Sequence, residues 1–330
     1  MYLKDETLFL VLLLVIVVYQ KRRIKVRKYN TIKYISSMKV YDVQYDFSWQ
    51  RVNPEIYEKL TNTEIAAGNY ASVPINQHKT KWCGCCYMVA TLQMIQDRLH
   101  VSLGKKNINT RMSPWVVIDL QSMLNHYQKH KGPYTRGWNS CKGGIPLNLL
   151  NAIENKNVPL MFDLRKTKWM GHPEIITSND TTNTKISIEN SRRITPTSLV
   201  EEEILKNGPV LLSISGALLK KNDEHGFITS NEILKINHAV TVIGWVHKNN
   251  KRYWIIRNSW GKEHVPKNVP QDMSCVTTHS NKCIVEREKW SGDPKNPGHV
   301  YLDASYAPLN DDENSPWFVT YISENKNILV

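Results

Sequence analysis

This sequence predicts an α+β fold with two subdomains, on three observations. Apolar residues recur at helical spacing between Cys86 and Val101. Two short runs rich in β-branched and aromatic residues, Ala239–Trp245 and Tyr253–Arg257, follow much later. From about residue 42 onward no internal repeat, Gly/Ser linker or low-complexity block breaks the pattern. Helices therefore come first and strands later, the order expected of an α+β unit.

Each element has its own justification. In the helical segment Met88, Val89, Leu92, Ile95 and Leu99 share one face, which makes that face buried. The two later runs are separated by the turn-like stretch His247-Lys248-Asn249-Asn250-Lys251, so they read as paired strands. The segment Glu263–Pro297, rich in Pro, Asn, Lys and Ser, reads as a long loop insertion, and the tail from about Pro308 stays unassigned. The chain has 330 residues, 41% of them hydrophobic, which suffices for a sizeable core and excludes a disordered chain. Six cysteines are too few for a disulfide scaffold of this length.

The net charge of +13 is local rather than general. Residues 21–40 alone contribute +8 with no acid among them. One patch of this kind is a poor footprint for a nucleic-acid-binding domain, and no nucleic-acid partner is expected. It directly follows an unbroken apolar run of twelve residues, Leu8–Tyr19. As a helix that run would span roughly 18 Å, short of the roughly 30 Å hydrocarbon core. A secretory signal peptide would carry a basic leader and small residues at a cleavage site. Here the leader is acidic on balance, and no small residue follows the run until Ser36. The expectation is an uncleaved single-pass anchor within residues 1–20, with lysine snorkelling and bilayer thinning making up the length. A basic juxtamembrane linker follows at 21–41, and a globular domain over 42–330. Six of the eight residues from Lys21 to Lys28 are Lys or Arg, which by the positive-inside rule puts the following domain on the cytoplasmic side.

The chemistry-bearing residues begin with Cys83-Gly84-Cys85-Cys86-Tyr87, at the head of the predicted helix. A helix N-terminus presents the positive end of the macrodipole and unpaired N–H groups, both of which favour a thiolate. A thiolate nucleophile needs a base, and the base needs an orienting partner. His238 opens the first predicted strand, 152 residues after Cys86, and Asn258 ends the second within Asn258-Ser259-Trp260-Gly261. Adjacent strands bring an imidazole and a carboxamide together, with the amide oxygen fixing the ring tautomer.

Taken together these residues resemble the papain-like cysteine proteases. Cys83 to Tyr87 is similar to that family's Cys-Gly-Ser-Cys-Trp motif, with Cys85 for Ser and Tyr87 for Trp. The resemblance implies a papain-like fold, with a helical left subdomain and a β-barrel-like right subdomain. It implies a Cys86–His238–Asn258 triad, with Gln77 completing an oxyanion hole beside the Cys86 N–H and Trp260 shielding the His238–Asn258 bond. Cys141-Lys142-Gly143-Gly144 resembles the family's Cys-x-Gly-Gly segment. It implies that Gly143 and Gly144 admit a substrate backbone and that Cys141 pairs with Cys83. Such a disulfide belongs to an oxidising compartment, against the cytoplasmic placement given by the charge rule.

Within the family, Asn69-Tyr70-Ala71-Ser72 and Asn76-Gln77-His78 are similar to cathepsin X, also called cathepsin Z. The offset of nine from Gln77 to Cys86 matches its longer loop, and His78 matches the histidine that holds a substrate's terminal carboxylate. The resemblance thus implies a thiol peptidase acting on peptides or proteins, without cofactor or metal, with carboxypeptidase action as a finer expectation. Lys79 and Lys81 fit carboxylate capture and a solvated loop equally. A membrane-anchored chain of this kind is similar to copies carried by large DNA viruses. The altered Cys85 and Tyr87 and the lost family segment after Gly261 leave a second reading, an inactive papain-like binding or structural protein. Cys275, His279 and Cys283 are spaced as a loop disulfide, three metal ligands or incidental thiols, and Asn179-Asp180-Thr181 is a glycosylation sequon.

Overall fold

In a computed structural model of the chain the described residues are 45–78, 83–105, 118–129, 141–155, 187–261, 275–277, 283–285, 293 and 295–323. The expected anchor and its basic flank, Lys79 and Lys81, the sequon and His279 all lie outside them. Among the described residues no helix is long and apolar enough to cross a membrane.

Helix α1 (Pro54–Thr61) starts where Asn53 caps the N–H groups of Glu55 and Ile56, with Pro54 in the first turn, and ends at Asn62 in a left-handed conformation (φ 55°). Its Tyr57 and Leu60 are buried. Helix α2 (Cys86–Lys105) is the longest helix among the described residues. It is buried not on one face but nearly all round, and its polar residues Gln93, Gln96, Asp97, Arg98 and His100 go under with it. Gln93 donates to the Val73 carbonyl (2.9 Å), and Gln96 accepts from the Ile118 N–H (2.9 Å). Arg98 donates to the carbonyls of Pro209 (2.8 Å) and Thr320 (2.7 Å) and pairs with Glu203 (2.7 Å). Asp97 pairs with Arg257 (2.7 Å), both side chains fully buried. Such groups are tolerated in a core because each finds a partner. Helices α3 (Leu120–Lys129) and α4 (Pro146–Glu154) accompany α2, and Met123, Leu124, Leu149 and Leu150 join its core.

The strand half is one seven-stranded antiparallel sheet. Its strands are β1 (Phe47–Ser48), β2 (Ile188–Arg193), β3 (Val210–Ile214), β4 (His238–Lys248), β5 (Lys251–Arg257), β8 (His299–Asp303) and β9 (Trp317–Ile322). The order is β2-β9-β3-β4-β5-β8, with β1 against β4. Its end strands β2 and β8 do not pair with each other, so among the described residues the expected barrel is an open sheet. The helix and strand halves share one core, since Leu211, Ala239 and Phe318 pack in the same cluster as α2's Leu92 and Ile95. The expected β4–β5 pairing holds, closed by Asn249 and Asn250 at φ 52° and 59°, the two left-handed residues of a tight hairpin. A bulge in β4 between Val242 and Trp245 coincides with Gly244, where an added Cβ would lie 2.0 Å from the Phe47 carbonyl oxygen. Only glycine lets β1 approach there. Helices α5 (Val200–Asn207) and α6 (Gly216–Leu219) flank β3 in sequence.

Two expectations change. The unassigned tail folds into the sheet: β9 lies between β2 and β3, with Trp317, Phe318 and Val319 buried. The 263–297 insertion is not a plain loop, because it contains a hairpin of β6 (Cys275–Thr277) and β7 (Cys283–Val285). Its register sets Cys275 opposite Val285 and Cys283 opposite Thr277, so neither cysteine is the other's direct cross-strand partner. Among the described residues no group of three or more His, Cys, Asp or Glu is placed to hold a metal.

Candidate active site

Cys86 is the first residue of α2, and it is half-buried. Its neighbour Cys85 is fully buried in the core, and both thiols are reduced. Burial, reinforced by the adjacent Cys86, pushes the Cys85 thiol up to about 12. Burial also raises Cys86, but backbone N–H groups of Ala239, Tyr87 and Cys86 itself oppose that rise by supporting the anion. Ala239 directly follows His238 and belongs to the core cluster against which Cys86 packs, so Cys86 lies near the start of β4. A disulfide joins Cys83 to Cys141, and the Gly84 N–H donates to the Cys141 carbonyl (2.7 Å), tying the cysteine turn to the Gly143–Gly144 segment.

His238 begins β4, and Asn258 directly follows β5 on the adjacent strand. The imidazole Nε2 lies 2.7 Å from Asn258 Oδ1. That oxygen also accepts the Ser259 N–H (2.9 Å), so it is held as an acceptor and Nε2 must carry the hydrogen. Nδ1 is then the ring's basic nitrogen. Burial pulls His238 down to about 4, against the opposing effect of the Asn258 bond. Trp260 lies against the imidazole, ring centroids 4.8 Å apart at 31°. Asn258 is itself buried, and its Nδ2 has no partner among the described residues.

The loop that carries Gln77 is sewn to the Asn258 segment. Gln77 N–H donates to the Ser259 carbonyl (2.7 Å), Gly261 N–H to the Ile75 carbonyl (3.0 Å), and Asn76 bridges Trp260. The Ser259 hydroxyl donates to Gln77 Oε1, which fixes the amide with Nε2 on the other side, donating to the Cys83 carbonyl (2.8 Å). A carboxamide has two N–H groups, so the second can serve a developing oxyanion beside the N-terminus of α2. Sequence reasoning assigned Gln77 but missed Ser259, which orients it.

His78 follows on the same loop, its N–H donating to Asn76 Oδ1 (2.8 Å). Its Nδ1 accepts the Cys83 N–H (3.2 Å), which makes Nε2–H the donor of the neutral ring. Burial, then His238, then Lys220 lower its pKa to about 4, so His78 is uncharged at neutral pH. Gly143 adopts φ 97°, and a Cβ there would meet nothing within 4 Å among the described residues. Gly144 differs: a Cβ there would sit 2.7 Å from the Tyr87 ring. Tyr87 thus packs against Gly144, where the related motif has Trp.

The family model described as papain family cysteine protease matches residues 66–290, and the chain belongs to that family. It is 29% identical over 187 residues to cysteine proteinase 3 of Entamoeba histolytica, covering 54% of this chain and 53% of that protein. Cathepsin Z of Onchocerca volvulus is 24% identical over 196 residues, covering 58% and 62%. A viral cathepsin of Cydia pomonella granulosis virus is 25% identical over 185 residues, covering 55% and 48%. The chain spans about half the length of the curated relatives it matches. A solved structure from a study of the mite allergens Blo t 1 and Der p 1 superposes with a TM-score of 0.52 at 16% identity, covering 87% of this chain and 73% of that one, and shows the fold.

Proposed function

We propose that the chain is a thiol peptidase in which Cys86 is the nucleophile, His238 the base and Asn258 its orienting partner. The observation that carries this reading is the 2.7 Å bond from His238 Nε2–H to Asn258 Oδ1. Nδ1 of His238 takes the thiol proton as sulfur attacks the scissile carbonyl. The oxyanion is held by the Cys86 N–H and the second N–H of Gln77. The imidazolium then protonates the leaving amine, and water, deprotonated by the same ring, releases the acyl group. Trp260 covers the imidazole and excludes water from its bond to Asn258. The test is peptide hydrolysis under conditions that leave Cys86 reduced, beside Cys86→Ala. Cleavage at an equal rate by the variant refutes the reading, and no cleavage by either favours an inactive binding protein.

A second, finer reading is removal of residues from a substrate's free C-terminus, supported by the place of His78 next to Gln77, with Nδ1 held by the Cys83 N–H. Peptides with free or amidated ends separate it from internal cleavage. The membrane placement is also a proposal: Leu8–Tyr19 anchors the chain, with the basic flank cytoplasmic. The Cys83–Cys141 disulfide favours an oxidising compartment instead. Carbonate extraction and protease protection of the full chain decide both points.

A further inference from the structure

We infer that Lys220 reads a carboxylate on the leaving-group side of the scissile bond, giving the site a preference for an acidic leaving residue or a free C-terminus. The inference rests on the thiol-peptidase reading and concerns which substrates that site prefers.

The leaving amine takes its proton from His238, so the chain beyond it passes the groups that border that ring. Trp260 borders it, centroid to centroid at 4.8 Å, and Lys220 Nζ stands over the Trp260 ring at 5.9 Å. The position of Lys220 relative to His238 is set by α6. Gly216 N–H donates to Asn237 Oδ1 (2.9 Å), next to His238. A Cβ at Gly216 would lie 3.4 Å from His238 Cβ and 3.5 Å from the Trp260 ring. Lys220 closes that short helix, its N–H donating to the Ala217 carbonyl, and its side chain is exposed.

Two donors therefore flank this side of the cleft, of different kinds. His78 is an uncharged ring whose Nδ1 is taken by the Cys83 N–H, whereas Lys220 brings an ammonium with several N–H donors. The charge of Lys220 also contributes to lowering the His78 imidazole. The next residue, Lys221, has a different direction, with Nζ 2.7 Å from Glu232. Its charge serves as an internal control.

Three peptides test the inference, identical on the acyl side and ending at the leaving residue: amidated Gln, amidated Glu, and Gln with a free carboxylate. Initial rates are read for the wild type, Lys220→Gln, Lys220→Arg and Lys221→Gln. Each rate is expressed as a ratio to the amidated Gln peptide of the same enzyme. An exposed charge pair gives up to about a fivefold preference. The expected result is that preference in the wild type, its loss in Lys220→Gln, retention in Lys220→Arg and Lys221→Gln, and weakening with salt. Preference for the amidated Glu peptide identifies a side-chain carboxylate as the source, and preference for the free end a terminal one. Either supports the inference. Ratios that Lys220→Gln leaves unmoved overturn it, including the case where all rates fall together as structural damage would cause. No Cys86-dependent cleavage of any peptide overturns the peptidase reading, and this inference with it.

Discussion

Replacing Asp97 by alanine strands a buried cation one residue from Asn258. Asp97 Oδ2 accepts from Arg257 Nη1 (2.7 Å), and Oδ1 accepts both the N–H of Ser72 (2.7 Å) and its hydroxyl. The same Nη1 also donates to the Ser72 carbonyl (2.9 Å), while Nε and Nη2 have no partner among the described residues. The Arg257 side chain is wholly buried, so Asp97→Ala leaves its charge in the core without an anionic partner. Breaking a buried pair from one side costs about 3–5 kcal/mol. For a unit of this size that lowers the melting temperature by roughly 10 °C. The assay is equilibrium urea unfolding and thermal melting in a Cys86→Ala background, which prevents self-digestion. Asp97→Ala combined with Arg257→Met removes both charges and is expected to recover more than half of the loss. A single variant within about 1 kcal/mol of its parent would refute the reasoning. So would a double variant less stable than the single.

Three further predictions follow from the same geometry. His238 and His299 are buried, and burial lowers each from 6.5 to about 4. The unfolded chain binds more protons between those values, so stability is full above pH 6.5 and is lost as pH falls toward 4, by up to about 3 kcal/mol per histidine. Calorimetry that shows no decline over that window contradicts it. Cys83→Ser with Cys141→Ser opens a link across a sequence separation of 58 residues and is expected to cost about 4 kcal/mol, measured by urea unfolding without reductant. Asn258→Ala frees the imidazole to turn, and a roughly 100-fold fall in kcat with KM nearly constant is expected in peptide hydrolysis. An unchanged kcat would remove Asn258 from the mechanism.

What was legible beforehand was what a short stretch of chain determines by itself. The hairpin between β4 and β5 needs only its apolar runs and the two asparagines between them, and the cysteine turn sits at the head of an evident helix. The rest depended on distant partners. Asp97 and Arg98 lie on α2, where helical spacing says nothing of Arg257, Glu203 or Thr320, each more than 100 residues away in sequence. The run Trp317–Ile322 had the β-branched and aromatic character of a strand, but its place between β2 and β3 is a matter of non-local pairing. Lys220 had no local signal at all, because its position comes from Gly216 packing against His238. The motif resemblance alone distinguished Cys85 from Cys86, and burial now gives a physical reason for the same choice.

The central claim, that Cys86 is the nucleophile and His238 its base, is tested most directly by site-resolved alkylation. Wild type and His238→Ala are treated with limiting iodoacetamide at neutral pH, and the adducts on Cys85 and Cys86 are located by peptide mass spectrometry. The account predicts a fast adduct on Cys86 alone, slowed at least tenfold without His238. Labelling of Cys85 at a comparable rate, or an equal rate at Cys86 in both proteins, would contradict it.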